Sequence, residues 1–386
     1  MWTFFKIINF VWLLSSTYAW FTTSVPLMMV LLLVNAGMIF SLSYLPVEIK
    51  FDKLIGRVLL AILGLVVWAI WCDGYVMGIY TLMSYLPVVV LIMLPLHLKK
   101  DLLQFVTKWI SILLGLGLIV YAVTLFATPP SFGRFVYSEY EPYDNYLFYI
   151  KTTFDHGTFV RFNGVFLEPG HQALLCTFLI IANKFNFRKN PYLYILLVSV
   201  LFSFSLAGYL LLFMGWALYW IKNIQRALLI GAVLTGLVVF AVNWDLGDNA
   251  VNELIISRLE YDKDKGIKGN NRFFHNTDYV YQKAQKSGRT MTGIKDSVNM
   301  ELVGGAGFKI YVIKYGWVGV AFALLFYLSV IPPQCNVRYT SIFLIVLALC
   351  FIQRSYPGWY SWLLPYVLGI YINRNPEKLR LLADDR

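Results

Sequence analysis

Residues 55–72, IGRVLLAILGLVVWAIWC, decide the fold class. Past Arg57 the run carries no charge and no proline. As a helix rising 1.5 Å per residue it reaches about 27 Å, close to the ~30 Å hydrocarbon core of a bilayer. A surface helix of a soluble protein would set a polar face against its apolar stripe, and none is present here. Working outward, similar runs recur at about 5–22, 25–46, 75–96, 103–127, 164–183, 191–206, 208–222, 227–244, 306–331, 339–354 and 357–373, making twelve in all. The composition agrees: 59% of residues belong to AVILMFWYC and only 14% are charged, where soluble domains average roughly 45–50% and 25%. The sequence therefore predicts an all-α polytopic membrane protein of about twelve spans, with residues 1–386 as one integral-membrane domain. Two pairs, 5–22 with 25–46 and 191–206 with 208–222, are divided only by Pro26 and by Ser205–Gly208. Either pair also reads as one long tilted helix.

The placement of charge orients the chain. With the N-terminus inside, the inner segments hold 17 of the 32 Lys and Arg and six of the 21 Asp and Glu, which accounts for the whole net +11. The remaining 15 bases face 15 acids. That asymmetry is the positive-inside pattern and predicts an even number of spans with both termini cytoplasmic. It also means that the basicity marks topology and does not advertise nucleic acid as a partner. The first 20 residues carry the parts of a signal peptide, namely Lys6, an apolar core and small residues near Ser15–Ala19. The apolar run continues without a polar mature start, so they are read as a span. The four cysteines, Cys72, Cys176, Cys335 and Cys350, are scattered and suggest neither a disulfide framework nor a thiolate metal site.

Two segments interrupt the pattern, 128–163 and 245–305, and both fall outside in this topology. Loops of such length seldom persist as mere connections. The first holds six aromatic residues between Tyr137 and Tyr149, interleaved with carboxylates. Such a mixture suits sugars, whose apolar faces stack on rings while carboxylates take hydroxyls; an interfacial aromatic belt is the alternative. The second is strongly mixed in charge. Between them, RFNGVFLEPGHQA (161–173) packs Arg161, Glu168 and His171 into eleven residues at the mouth of a span. Pro169 suits the first turn of a helix, which places Glu168 at the N-cap, and the helix N-terminus beside Arg161 makes an anion pocket. Ionisable groups at membrane depth are functional candidates, although Glu168 also reads as a cap paired with Arg161.

These residues resemble the Arg-x-x-Gly-x-Phe-x-Glu-Pro segment of bacterial O-antigen and exopolysaccharide polymerases of the Wzy type, in the O-antigen polymerase/ligase superfamily. SFSLAGYLLL (203–212) resembles the family's Ser-rich helix start, NNRFFHNTDY (270–279) lies in the second large loop, and GGAGFKIYVIKYGWVG (304–319) enters the next span. The resemblance implies a multi-pass glycosyltransferase of the bacterial inner membrane, without metal or cofactor. It would join oligosaccharide repeat units carried on polyprenyl diphosphate, in membrane lipid, with a flippase and a chain-length regulator as partners. A growing glycan would leave its diphosphate for a hydroxyl of the incoming unit. Arginines suit the diphosphate and a base must take the hydroxyl proton. The resemblance matches Arg161 to one essential arginine and Arg272 to another, with Arg258 and Arg289 as rivals for the second place.

For the base, the related ligases have a His-Asn pair, nine intervening residues, then Gly-x-x-Gly. Aligned on Gly316 and Gly319, this chain has Gly305-Ala306 in place of that pair. That favours polymerase over ligase and leaves Glu168 or His171. Glu168 is preferred, since desolvation at the membrane mouth favours its protonated form while an arginine opposes it. Lys309 lies near the outer edge of its span within reach of phosphate, and Lys314 reads as snorkelling. Arg354 is either a further cation or a headgroup anchor. Asp262-Lys-Asp264 is a weak metal signal, and His156 and His275 lack ligand spacing with one another. Two other classes remain: a flippase or secondary transporter, disfavoured by unlike halves, and a metal-dependent multi-span glycosyltransferase, whose acidic pair is missing from Phe21–Ser24.

Overall fold

The computed structural model describes residues 1–45, 51–138, 141–152, 161–221, 261–262, 266–267, 275–294 and 307–373. Its helices are α1 Trp2–Ser16, α2 Leu27–Tyr44, α3 Lys53–Asp73, α4 Tyr75–Met93, α5 Leu96–Phe126, α6 Pro169–Ala182, α7 Tyr192–Phe202, α8 Leu206–Trp220, α9 His275–Lys286, α10 Phe308–Ser329, α11 Val337–Gln353 and α12 Tyr360–Ile372. Among the described residues, α2, α3, α4, α5 and α10 are long and apolar enough to cross a membrane. Leu33 and Leu60 are 71% and 70% exposed; together with many other bare apolar side chains they form a surface that water does not tolerate and lipid does. The protein is thus mostly helical and membrane-embedded in character. The expected run 227–244 lies outside the described residues.

The chain forms two compact units: residues 1–17, 22–106 and 272–386 in one, residues 18–21 and 107–271 in the other. In the first unit α3 packs on α4 and α10, α1 on α2 and α12, and α9 on α10. The first doubtful pair is therefore two helices. α1 ends at Ser16, short of the expected 22, because the hydroxyls of Ser15, Ser16 and Thr17 donate back to the carbonyls of Val11 and Leu13 and close its last turn. Buried polar ties join helices where apolar surface alone would give no register: Tyr360 donates to Asn9, and Asn35 donates to the Met83 carbonyl at 2.9 Å. Arg57 and Lys99, both among the cations that the charge pattern places inside, also cap helix ends. Arg57 donates to the carbonyls of Ser329 and Ile331 at 3.1 and 2.7 Å, and buried Lys99 donates to those of Ile92 and Leu94.

α10 is broken at Gly316 (φ 66°, ψ 178°). A break inside an apolar helix strands backbone groups on both sides, and each must find a partner. The turn after α9 supplies them. Trp317 and Val318 donate to the carbonyls of Thr290 and Met291 at 2.9 and 3.1 Å, while the Ile313 carbonyl accepts from Ile294 at 2.7 Å. The Tyr315 carbonyl takes the Trp68 indole at 2.8 Å. Val280, Ala284, Ile294 and Ile313 close an apolar cluster behind this wedge. A Cβ at Gly316 would lie 2.2 Å from the Met291 carbonyl oxygen, on top of the left-handed φ. Gly316→Ala is therefore expected to cost about 3 kcal/mol or more, read as a lower Tm of the purified protein in detergent. Gly56→Ala, whose Cβ meets nothing within 4 Å, should be neutral or slightly stabilising.

In the second unit β1 Gly133–Ser138, β2 Glu141–Asn145 and β3 Ile150–Thr152 form an antiparallel sheet in the order β1-β2-β3. The aromatic loop is thus partly a folded sheet, and its rings point inward as well as out. Tyr143 and Tyr149 are 2% and 0% exposed, and Tyr149 packs against Tyr121, Tyr146 and Phe162. The expectation that this loop offers its tyrosines to sugars is corrected at these two positions, where closing the sheet over its own core takes the rings. α6 packs on α7 and α8, and every residue from Gly170 to Ala182 is buried. It starts at Pro169, where the cap reading puts it and five residues into the apolar run 164–183, and at about 21 Å it is shorter than a bilayer core. The preceding residues are non-helical and enclosed by protein, which is where membrane proteins tolerate irregular backbone. The second doubtful pair also separates: Phe204 (φ 45°) breaks the chain between α7 and α8, and the Ser205 hydroxyl caps α8 by accepting from the Gly208 N–H at 3.3 Å.

Candidate functional site

The site is built where α6 begins. Glu168 occupies the N-cap with extended backbone and Pro169 the first turn, as the sequence predicts; the Glu168 side chain makes no cap hydrogen bond. The cap is made by the backbone instead, with the N–H groups of His171 and Gln172 donating to the Glu168 carbonyl at 3.1 and 3.3 Å. The carboxylate reaches back along its own helix to the imidazole, with Glu168 Oε2 3.7 Å from His171 Nε2. It is 44% exposed while His171 is 6% exposed. Burial falls on the histidine, and the carboxylate expected to be desolvated is the open member of the pair.

The segment leading into Glu168 is held from three directions. The connection between α1 and α2 runs antiparallel to it, bridging at Ala19 and Phe166. Trp20 N–H donates to the Val165 carbonyl at 2.9 Å and Leu167 N–H to the Tyr18 carbonyl at 3.1 Å. From the sheet, the Tyr143 hydroxyl donates to the Leu167 carbonyl at 3.3 Å. From the break after α7, the carbonyls of Ser203 and Phe204 accept from Arg161 Nε and Nη2 at 3.0 and 3.2 Å. The fork of Arg161 thus closes the end of a helix as well as placing a cation near the start of the motif. Tyr18 adopts φ 59°, a conformation costly for a bulky residue, and lays its ring on His171 at 5.8 Å and 30°.

Polar capacity on this segment is not all used. Both amide atoms of Asn163 and the Oε1 of Gln172 are buried without a hydrogen-bond partner. Each such group costs about 1–3 kcal/mol, and unmet polarity of this kind concentrates where proteins act on something. Between β2 and β3, burial and then the Asp144 carboxylate raise the Tyr146 phenol above its ordinary pKa, so the ring stays neutral at physiological pH.

The other expected residues are dispersed. Arg258, Arg272 and the side chain of His275 lie outside the described residues. Arg289, after α9, is exposed. Arg354 ends α11 and is 5% exposed, buried and not presented to headgroups. Lys309, in the first turn of α10, pairs with Asp278 at 2.7 Å, so part of the charge expected to meet phosphate is answered by α9. Lys314 pairs with Asp73 at 2.6 Å, and Asp73 also accepts from the Tyr315 hydroxyl at 3.2 Å. Lys314→Met alone should cost about 1–3 kcal/mol by leaving Asp73 without its cation. The double change with Asp73→Leu should recover most of the loss in a thermal double-mutant cycle.

The sequence reading missed Tyr18 and Trp20, because the apolar run around them reads as the end of a span. The small aromatic break Tyr18-Ala19-Trp20 after three hydroxyl residues was the available signal. No family model matches this chain, and no curated protein or solved structure matches it.

Proposed function

We propose that the chain is a membrane glycosyltransferase of the Wzy polymerase type, joining polyprenyl-diphosphate-linked repeat units at the outer face of the bacterial inner membrane. The observation that carries this reading is the open carboxylate of Glu168, backed at 3.7 Å by the buried His171 imidazole. The motif that places it there is the one that resembles the family. In the reaction an acceptor hydroxyl attacks the anomeric carbon of the donor glycan. The bond from that carbon to the diphosphate oxygen breaks with its electron pair, and the hydroxyl proton passes to Glu168. His171 orients the carboxylate from behind and can share its proton. Arg161 contributes positive potential to the same segment; the resemblance alone assigns Arg161 and Arg272 to the diphosphate, with Arg258 and Arg289 as rivals of Arg272. The proposal includes about twelve spans with both termini cytoplasmic, supported by the one-sided +11.

Deletion of the gene followed by glycan profiling tests this. Single lipid-linked repeat units should accumulate and long polymer should vanish; unchanged polymer would overturn the proposal. Activity in excess chelator is expected to persist, and a chelator-sensitive enzyme would favour the metal-dependent class. One feature favours a transporter instead: α10 is broken beside the Lys314–Asp73 pair, an arrangement found where transporters bind substrate. Translocation of a lipid-linked sugar with no change in glycan length would establish that reading.

A further inference from the structure

The connection between α1 and α2 is a short link by length, yet it delivers two aromatic rings to the α6 site. Tyr18 covers His171. Trp20 donates its indole N–H to the Leu147 carbonyl at 3.1 Å, which fixes the ring plane, and it meets Phe135 of β1 at 6.0 Å and 35°. All three rings are half-buried and pack around one small core of Tyr143, Ile150 and Leu167. Leu167 is the residue before Glu168, so the rings and the open carboxylate share one support. Tyr18 stacks on the imidazole that lies 3.7 Å from the Glu168 carboxylate, and Trp20 packs on the same small core; half-buried rings near an open carboxylate suit a pyranose, whose C–H groups take the ring faces and whose hydroxyls take the carboxylate. Asn163 and Gln172, 1% and 0% exposed with hydrogen-bonding capacity unmet, lie on the two sides of Glu168 in the same motif. The left-handed backbone at Tyr18 is strain kept at this place, as functional sites keep it.

From this juxtaposition we infer that Trp20, with Tyr18 beside it, is the stacking platform for a sugar ring of the lipid-linked glycan, set so that the sugar's hydroxyls meet Glu168. The inference deepens the polymerase reading and rests on it for the identity of the glycan. It names a residue outside both large loops, and it explains why so short a connection is tied by two backbone hydrogen bonds to the segment before α6.

The probe is the oligosaccharide released by mild acid from the lipid fraction of the deletion strain, titrated into the purified full-length protein in detergent. Wild type should bind it, Trp20→Leu should weaken binding by about tenfold, and Trp20→Phe should stay within about threefold, because the ring and not its volume is what matters. Glycan should also slow oxidation of the wild-type Trp20 indole, read by peptide mass spectrometry, a measurement that needs no variant. No binding to wild type, no protection of Trp20, or equal binding by a folded Trp20→Leu protein overturns the inference. Binding through Trp20 in a protein that forms no polymer would contradict the polymerase reading and leave this one standing. Polymer formed with unaltered glycan affinity in Trp20→Leu would do the reverse.

Discussion

Glu168→Gln is expected to lower polymer formation by about 10²–10⁴-fold, the usual contribution of a positioned general base, while the protein stays in the membrane at its normal level. The amide keeps the size and shape of the carboxylate but cannot accept the acceptor's proton. Its fold should survive, because the Glu168 side chain makes no cap hydrogen bond and the turn is closed by the backbone carbonyl. The measurement is the ladder of glycan lengths in a deletion strain carrying the variant, with single repeat units replacing the ladder. His171→Ala should cost less in rate than Glu168→Gln if the imidazole only orients the carboxylate. Equal losses would show that the pair acts as one unit, as coupled catalytic groups do.

Arg161→Met is expected to remove polymer and also to lower the amount of folded protein. The guanidinium donates to the carbonyls of Ser203 and Phe204 at 3.0 and 3.2 Å, and each charge-assisted bond contributes about 1.5–3 kcal/mol. Losing both exposes two carbonyls at the α7–α8 break inside an apolar unit, a total of roughly 3–6 kcal/mol. Arg161→Lys keeps the charge but loses the planar fork that serves two acceptors at once, so it should fall between wild type and Arg161→Met in both readouts. An arginine that met substrate alone would lose polymer with undiminished protein. Tm and membrane abundance, measured beside the glycan ladder, separate the two contributions. The contrast with Arg272→Ala is informative, since that arginine is assigned by resemblance to substrate.

Helix existence was legible in the sequence where one force dominates. Residues 55–72 carry almost nothing except apolar side chains, and α3 spans Lys53–Asp73. Asp52 caps that helix by accepting from the Ile55 N–H at 2.9 Å. The cap at Glu168 and Pro169 was legible for a similar local reason, as was the Ser205 break, because caps and breaks are decided within one turn of chain. Long-range partners were not. Nothing near Arg161 in the sequence points to carbonyls at 203 and 204, and nothing near Gly316 points to the turn at 290–294 that fills the break in α10. Aromatic residues misled for a physical reason: Tyr, Phe and Trp serve equally as core, as interface belt and as sugar platform. Tyr149 went to the core, while Trp20, hidden at the end of an apolar run, packs on the small core that holds Leu167, the residue before Glu168. The chemistry proposed for the α6 motif comes from its resemblance in sequence; the structure adds which side chain is open, which is buried and what holds them there.

The most direct test is reconstitution. The purified protein in liposomes is given lipid-linked repeat units on its outer face, and the products are resolved by length. A ladder of two, three and more repeats, each still carrying a single diphosphate and absent with Glu168→Gln, is the predicted result. Repeat units that cross the bilayer or are passed to a lipid A core with no ladder, or a ladder of unchanged yield with Glu168→Gln, would contradict it.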